Sequence, residues 1–291
     1  MAILLTGGTG KTSTPLAQLL QDANIPFLLA SRKGPDGALP TMQAIKFDWL
    51  DSRTFERPFQ HEFPNKESIS AIYLVAPTIP DPASVMNPFI DLAVKDYGVK
   101  RFVLLGGSST EKGSPYHVGP VWQHLDDLGV EYCVLRPTWF MENFSQEQHL
   151  ISIRDEGKIY TASGNGKIPF ISAADIAAVA FHTLVDKKLH DKDYRVLGPE
   201  LLTHDEIAAK LSQGLGRDIL HVKLSEEQNV QRYLNLGLPE VYAKFLTSLE
   251  IGSADGMEER LKDDHDVERV TGRPPLTFDS WVYQHASAWL K

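Results

Sequence analysis

The sequence predicts an α/β fold with a doubly wound parallel sheet and a smaller, mostly helical region toward the C-terminus. Short apolar runs are nearly continuous rather than alternating, which is typical of parallel strands covered on both faces. Gly or Pro closes most of these runs, and helically spaced apolar residues separate one run from the next. Such alternation of strand and helix requires crossover connections and a covered sheet.

Seven apolar runs are the predicted strands. They cover residues 2–6, 25–30, 45–47, 69–76, 101–105, 131–135 and 194–197. Between them, one helix is predicted around residues 16–20, after Pro15, which suits a first helical turn. Another is predicted around residues 89–94, where apolar side chains recur at helical spacing.

The last third of the chain has a mostly helical pattern. Thr203 and Glu206 have the spacing of a capping box at the start of one helix, and a second capping box follows at residues 225–228. Val241, Phe245 and Leu249 are predicted to form the apolar stripe of a further helix.

Composition and charge exclude several classes of protein. The 291 residues carry 29 Lys and Arg against 38 Asp and Glu, a net charge of −9 without a basic block, which argues against a nucleic-acid partner. Cys133 is the single cysteine, and the histidines lack metal-ligand spacing, so neither a disulfide nor a metal site is expected. With no signal-peptide pattern and no apolar run near the ~20 residues of a membrane span, we expect a soluble, cytoplasmic protein without a membrane partner. The oligomeric state stays open.

A glycine-rich turn joins the first strand to the first helix. In the run that starts at Gly7, the residues Gly8, Gly10 and Ser13 match the dinucleotide pattern G-x-G-x-x-G, with Ser in the third small position. Such a turn lets the backbone approach a pyrophosphate at a helix N-terminus. Gly10-Lys11-Thr12 also suggests a P-loop, but that motif would need a glycine at Leu5, inside the strand. A glycine turn without a ligand is the other alternative.

The residues after the second strand select between two dinucleotides. A site that prefers NAD usually has a carboxylate there, whereas this chain has Ser31-Arg32-Lys33. Arg and Lys neutralise a 2′-phosphate, so NADPH is the predicted cofactor, against the alternative of a solvated basic turn. The predicted cofactor site comprises Gly7, Thr9, Gly10, Lys11, Thr12, Ser31, Arg32, Lys33, Asp48, Trp49, Ala76 and Pro77. Within it, Asp48 and Trp49 would flank the adenine, although Trp49 is equally suited to the core.

Several segments resemble the NmrA-like group of atypical short-chain dehydrogenases, and most closely the fungal clavine dehydrogenases. The matching segments are residues 7–10, 136–143, 170–177, 194–206 and 270–273, with residues 10–12, 47–50 and 237–240 most like the clavine enzymes. The resemblance implies a Rossmann fold with a dinucleotide-binding domain over residues 1–155. It also implies a substrate region over residues 156–291 that adds the strand near residues 194–197.

The usual catalytic pair of the short-chain dehydrogenases is incomplete here. That pair is Tyr-x-x-x-Lys, in which the tyrosine protonates a carbonyl oxygen. Tyr116 is the candidate tyrosine, but Pro120 stands where the lysine belongs; Ser109 is the other weak catalytic candidate. Ketone reduction is therefore poorly supported. An iminium ion is already electrophilic, and hydride addition to it gives a neutral amine without a proton donor.

Aromatic residues follow the sixth strand, at the sheet edge where open α/β sheets bind ligands. The predicted substrate-binding residues are Trp139, Phe140, Asn143, Phe144, Tyr160 and Phe170. Each aromatic residue taken singly suits the core equally well, but their grouping after a strand end favours a pocket. Aromatic faces attract cations. Glu142 and Asp175 are candidate carboxylates for a cationic substrate, against the alternative of capping or ion-pair roles.

These observations lead to one main hypothesis and two alternatives. The main hypothesis is an NADPH-dependent reductase of a cyclic imine or iminium ion in fungal alkaloid biosynthesis, which could also assist the ring closure in a Pictet–Spengler manner. Its substrate would be small, hydrophobic, cationic and similar to an indole alkaloid. The alternatives are a non-enzymatic NmrA-like redox sensor that binds NADP, and an NADPH-dependent quinone-type reductase.

Overall fold

The computed structural model describes residues 1–146 and 148–290. The chain forms two compact units that alternate along the sequence. Unit 1 comprises Met1–Pro137, Ala173–Val196 and Arg269–Gly272, and unit 2 comprises Thr138–Ser172, Leu197–Glu268 and Arg273–Lys291. The chain thus passes between the units several times, whereas the prediction placed one boundary at residue 155 and returned the chain to the large sheet with the strand near residues 194–197.

The strands fall into two sheets. In chain order they are β1 (Ala2–Leu5), β2 (Phe27–Ser31), β3 (Ala44–Lys46), β4 (Ile69–Val75), β5 (Arg101–Leu105), β6 (Glu131–Pro137), β7 (Lys158–Thr161), β8 (Asp193–Val196) and β9 (Leu220–Lys223). Unit 1 contains a seven-stranded sheet of order β3-β2-β1-β4-β5-β6-β8, with every neighbouring pair parallel. The predicted Rossmann-type α/β fold class is confirmed, and all seven predicted strands lie in this sheet.

The helices complete the crossovers of unit 1 and make up much of unit 2. In chain order they are α1 (Ser13–Asp22), α2 (Ala83–Lys95), α3 (Gly119–Asp127), α4 (Ala173–Val185), α5 (His204–Leu215), α6 (Glu226–Asn235), α7 (Glu240–Ala254), α8 (Asp266–Thr271) and α9 (Phe278–His285). In unit 1, α1 packs against α4, and α2 packs against α3. No described helix combines the length and the apolar character that crossing a membrane would require.

The core of unit 1 explains why its strands could be read from the sequence. The strand residues Leu4, Ile72 and Phe102 are fully buried, and they pack with Phe89 of α2 in one apolar cluster. Because helices cover the sheet, both faces of each strand bury apolar side chains, and the runs become continuous. Cys133 of β6 is buried among them.

Unit 2 has its own apolar core and a small sheet of two strands. The strands β7 and β9 pair in parallel. The sequence did not predict them because neither is a continuous apolar run: β7 alternates between half-buried and buried residues, and β9 has no buried residue. The core includes Phe144, Phe170, Ile207 and Trp281. The predicted capping boxes are both confirmed, at the starts of α5 and α6.

Helix α7 leaves most of its predicted apolar stripe exposed. Val241 and Phe245 are exposed, whereas Thr247 and Glu250 are among the residues that the helix buries. The predicted helix is confirmed, but its apolar stripe is not the face that it buries. Since burying an unpaired carboxylate is costly, the interior that receives Glu250 must supply hydrogen bonds.

Candidate functional site

The glycine-rich turn of unit 1 is built for a close approach to its backbone. Gly8 has a φ of +56°, a conformation that favours glycine, and the N–H of Gly10 donates to the carbonyl of Gly7 at 3.0 Å. A Cβ on Gly7 would lie 2.2 Å from Oγ of Ser13, so a side chain there would displace the start of α1. Thr9 and Gly10 are exposed at the turn. The turn leaves backbone N–H groups available to a phosphate.

Two further residues of the predicted cofactor site lie at the start of α1. The hydroxyl of Tyr73 on β4 donates to Oγ1 of the buried Thr12 at 3.0 Å, so this threonine ties the helix start to the sheet. Lys11, just before it, is half-buried. The side chain of Thr12 therefore has a structural role, and only its backbone N–H would be available to a ligand.

The basic segment after β2 meets the requirements of a 2′-phosphate site. Arg32 and Lys33 are exposed, and neither forms an ion pair with any residue that the structure describes. Oγ of Ser31, at the end of β2, is buried without a hydrogen-bond partner among the described residues. An orphaned hydroxyl beside two free cations fits an anionic ligand, so the residues present fit a phosphorylated dinucleotide.

The remaining predicted cofactor residues have mixed positions. Trp49 is 8% exposed and donates from Nε1 to the carbonyl of Val75 at 3.1 Å, and its ring meets Phe89 edge-on at 5.3 Å. It therefore belongs to the aromatic core of unit 1, the alternative stated above. Asp48 is half-buried and accepts from the N–H of Leu50. Residues 76–77, at the end of β4, are half-buried.

Among the described residues, the side chains of the two catalytic candidates have no hydrogen-bond or ion-pair partner. Tyr116 is 77% exposed, and Ser109 is exposed as well. Pro120 lies in the first turn of α3, where proline is favoured because that turn needs no N–H donor. Nothing around Tyr116 therefore resembles a buried proton donor held by a lysine.

A pocket in unit 2 contains most of the predicted substrate residues. The pocket is partly open, and its space together with the open solvent at its mouth amounts to about 230 Å³. Its lining residues are Trp139, Asn143, Phe144, Gln148, His149, Phe170, His204 and Glu250. Four of these eight were predicted from the sequence. Phe140 and Tyr160 do not line it: Phe140 pairs with Ile171 through the backbone, and the hydroxyl of Tyr160 donates to Glu156 at 2.7 Å.

The apolar side of the pocket is aromatic. Phe144 meets Phe170 edge-on with ring centroids 5.3 Å apart, and it stacks on His149 at the same separation. The ring of His204 meets Phe170 edge-on, also at 5.3 Å. Edge and face contacts of this kind hold each ring in one orientation. The pocket therefore presents fixed aromatic surfaces.

A buried carboxylate faces these aromatic residues. Oε1 of Glu250 accepts from the hydroxyl of Tyr233 at 2.5 Å, and Oε2 accepts from the N–H of Ala162 at 2.6 Å and from Nδ2 of Asn229 at 2.9 Å. Burial raises the pKa of Glu250, against the opposing effect of these bonds and of the Arg232 charge. Within the described part of the chain, Glu250 has no ion-pair partner.

His204, another polar residue of the pocket, ends a chain of hydrogen bonds that runs through the interior of unit 2. Nδ1 of His204 contacts Oγ of Ser163 at 2.7 Å, and Ser163 contacts Oγ1 of Thr161 at 2.7 Å. Thr161 contacts Nε2 of His221 at 2.8 Å, and Nδ1 of His221 contacts Asp205 at 2.8 Å. Burial, helped by the charge of His221, lowers the pKa of His204 to about 3.

The carboxylates named from sequence have structural partners. Oε1 of Glu142 accepts from Nε1 of Trp281 at 3.1 Å in the interior of unit 2. Asp175 is fully buried in the first turn of α4. Neither lines the pocket, whose carboxylate, Glu250, was not predicted.

Gln148, His149 and His204 were also missed, because polar residues in helical or loop segments are normally exposed. Among residues 1–146 and 148–290, no three His, Cys, Asp or Glu side chains cluster as a metal site would.

Comparison with known proteins establishes the family of the chain. Agroclavine dehydrogenase of Claviceps fusiformis is 43% identical over 293 residues, covering 100% of this chain and 99% of the relative. Festuclavine dehydrogenase of Aspergillus fumigatus is 42% identical over 296 residues, covering all of both chains. The chain belongs to the clavine dehydrogenase family. The resemblance drawn from the sequence is thereby confirmed, although no protein-family model matches the chain.

A solved structure shares the fold of this clavine dehydrogenase family member. The triphenylmethane reductase of Citrobacter sp., determined in complex with NADP(H), superposes with a TM-score of 0.77 over 98% of this chain and 100% of the other. Its sequence is 21% identical, a level at which the likeness shows the fold alone.

Proposed function

We propose that the protein is an NADPH-dependent reductase of a cyclic imine or iminium ion, of the clavine type after which its relatives are named. The observation that carries this proposal is Glu250, a buried carboxylate without an ion-pair partner among the described residues, facing an aromatic pocket. A pocket of this composition suits an apolar cation, because the aromatic faces and the carboxylate both attract positive charge.

The cofactor would lie on unit 1. The turn at residues 7–10 would hold its pyrophosphate, and Arg32 and Lys33 would hold the 2′-phosphate that distinguishes NADPH from NADH. When bound, NADPH supplies a hydride. The orphaned hydroxyl of Ser31 gains a hydrogen-bond partner if a ribose or phosphate oxygen lies beside it.

The chain's own residues bind the cation and orient it. Trp139, Phe144 and Phe170 offer ring faces and edges, and cation–π attraction contributes about 0.5–2 kcal/mol. Glu250 supplies the negative charge. Three donated hydrogen bonds hold its carboxylate in one orientation, so it does not need to reorganise when the cation arrives.

The reduction requires no acid from the protein. The iminium carbon is electrophilic, and the nitrogen keeps its electron pair as the positive charge disappears. The exposure of Tyr116 and the proline at position 120 are compatible with this chemistry. Because the positive charge is only partly neutralised when the hydride reaches the transition state, Glu250 stabilises the bound substrate and the transition state to a similar degree. Its contribution should therefore appear in KM rather than in kcat.

Turnover with matched substrates tests the proposal. The purified protein is given NADPH and either 2-methyl-3,4-dihydro-β-carbolinium, a cyclic iminium ion, or menadione, a neutral quinone. We expect NADPH oxidation with the iminium ion and little with the quinone. Preferential oxidation with menadione would support the quinone-type alternative. NADPH binding without oxidation across a broad imine panel would contradict the proposal and favour the redox sensor.

A further inference from the structure

The buried hydrogen-bond chain of unit 2 has no task in the reduction of a preformed iminium ion, because that step needs no proton. The chain begins at Asp205, whose side chain is 51% exposed. It continues through His221, Thr161 and Ser163, and it ends at His204, which lines the pocket. The two hydroxyl residues are at most 1% exposed. The chain therefore connects the pocket with the protein surface through the interior.

Each internal member of this chain can both donate and accept a proton. Hydroxyl groups have one donor and two acceptor positions, and a neutral imidazole has one nitrogen of each kind. His204 is neutral, because burial keeps its pKa far below neutral pH. The hydrogen bonds around Glu250 differ, since its Ala162 N–H and Asn229 Nδ2 partners only donate. The first group of bonds can pass a proton along, whereas the second holds a carboxylate in place.

The orientation of the chain follows from its outer end. The carboxylate of Asp205 accepts from Nζ of Lys223 at 2.8 Å, and this bond is the largest cause of the lowered pKa of Asp205. An ionised carboxylate only accepts, so Nδ1 of His221 donates to it, and Nε2 of neutral His221 accepts from Thr161. Thr161 then accepts from Ser163, and Ser163 accepts from Nδ1 of His204. Nε2 of His204 is therefore unprotonated and able to take a proton.

We propose that His204, Ser163, Thr161, His221 and Asp205 form a proton relay that serves the condensation of an ammonium group with an aldehyde, the ring closure that produces the iminium ion. This inference rests on the proposed function and extends it to an amino aldehyde as an earlier substrate. His204 is the residue that contacts the substrate, and the other four residues carry the proton between His204 and solvent.

The condensation balances as R₂NH₂⁺ + O=CHR′ → R₂N⁺=CHR′ + H₂O. The ammonium group first gives one proton to Nε2 of His204, and the relay shifts toward Asp205. The freed nitrogen electron pair forms the C–N bond, and the carbonyl π pair moves to oxygen, which takes the remaining N–H proton. The relay then returns one proton to this hydroxyl. The C–O bond breaks with its pair leaving on water, while the nitrogen pair forms C=N⁺.

Burial makes such a relay useful. Glu250 and the aromatic residues bind the positive charge. The hydrogen-bond partners of Glu250, namely Tyr233, Asn229 and Ala162, are all buried, so they give a proton no route to solvent. A proton removed from a bound ammonium group needs a route to solvent, and the dehydration needs the same route in reverse. General acid–base assistance of this kind typically contributes about 10²–10⁴-fold in rate.

The relay can be tested without the cofactor. An indole-bearing secondary amino aldehyde is incubated at slightly alkaline pH with the protein alone, and the iminium ion is trapped with cyanide and quantified. Thr161→Val keeps the shape of the side chain but removes the hydroxyl, and Thr161→Ser is the matched control that keeps it. We expect Thr161→Val to slow ring closure about a hundredfold and Thr161→Ser to retain most of it. Reduction of preformed 2-methyl-3,4-dihydro-β-carbolinium should fall far less in Thr161→Val.

Two results would overturn the relay. One is a wild-type rate of iminium formation no higher than that in buffer, and the other is equal rates for the valine and serine variants. If Thr161→Val fails to fold, the wild type still decides: we expect a solvent isotope effect of about 2 or more on ring closure and close to 1 on reduction of the preformed ion. Equal isotope effects would contradict the relay. Because ring closure is followed without NADPH, its failure leaves the reductase proposal to its own test.

Discussion

The interior of unit 1 and the interior of unit 2 are both rich in aromatic side chains, but they are used differently. In unit 1, Phe47, Trp49 and Phe89 pack edge-on against one another and fill the space beside the sheet. In unit 2, Phe144 shares its surroundings with two histidines, and a buried carboxylate lines the same pocket. The first arrangement stabilises a fold. In the second arrangement, the buried polar groups lower stability, but they supply the charge and the hydrogen bonds that a ligand can use.

The largest effect should come from the core of unit 1. Phe89 is fully buried and touches four other aromatic rings. We expect Phe89→Ala to lower the free energy of unfolding by about 3–5 kcal/mol, because it removes a large side chain and leaves a cavity. Chemical denaturation measures this, with Tyr283→Ala, which truncates an 87% exposed ring, as the control. Equal losses in the two variants would mean that this cluster is not what holds unit 1.

The carboxylate of unit 2 should affect binding and leave stability nearly unchanged. In Glu250→Gln, the new amide can donate to the Tyr233 oxygen while its carbonyl accepts from Ala162 and Asn229. Since burial raises the pKa of Glu250, ionising it costs the folded state free energy, and the neutral amide avoids that cost.

For Glu250→Gln we expect KM for an iminium ion to rise roughly thirtyfold, about 2 kcal/mol, with little change in kcat. Steady-state kinetics measure this. We also expect the thermal midpoint of Glu250→Gln at pH 8 to be no lower than that of the wild type, whereas that of Phe89→Ala should fall. An unchanged KM would remove Glu250 as the counter-ion and leave unit 2 with an unexplained buried charge.

The basic segment after β2 in unit 1 offers a second contrast with the buried core of the same unit, because its proposed function depends on exposed residues. Arg32 has no ion-pair partner among the described residues, so its loss should leave stability unaffected. We expect Arg32→Ala to weaken NADPH binding by about 1.5–2 kcal/mol and NADH binding by much less, because only NADPH carries a 2′-phosphate. Calorimetry on the two cofactors measures this, with the exposed Lys100→Ala as control. Equal weakening of both would refute the assignment.

A region of the molecule could be predicted from the sequence where its residues leave a local pattern along the chain. The strands of unit 1 were recognised because buried parallel strands read as continuous apolar runs, and the turn after β1 because a left-handed φ at Gly8 favours glycine. The aromatic residues Trp139, Phe144 and Phe170 were predicted from their positions along the chain. Phe140 and Tyr160 were predicted on the same grounds, and the structure places both outside the pocket.

The polar half of the pocket had no comparable signal. Val241 and Phe245 of α7 follow helical spacing and form part of its apolar stripe, but they are exposed, and Thr247 and Glu250 are buried instead. Hydrophobic periodicity assigns polar residues to the solvent side, and it fails where the interior offers them partners. Those partners, Tyr233, Asn229 and the N–H of Ala162, come from other segments of the chain.

The sequence by itself determined the α/β class, the strands of the large sheet, the glycine-rich turn and its basic companion segment, and both capping boxes. Each of these depends on residues that are close together in the chain, so local patterns are sufficient. Only the tertiary structure decided that His204, far from Thr161 and His221 in the sequence, completes a buried hydrogen-bond chain with them and that Glu250 faces aromatic residues. The physical reason is that a buried polar group is stable only beside its partners, and contacts between distant segments decide where those partners lie.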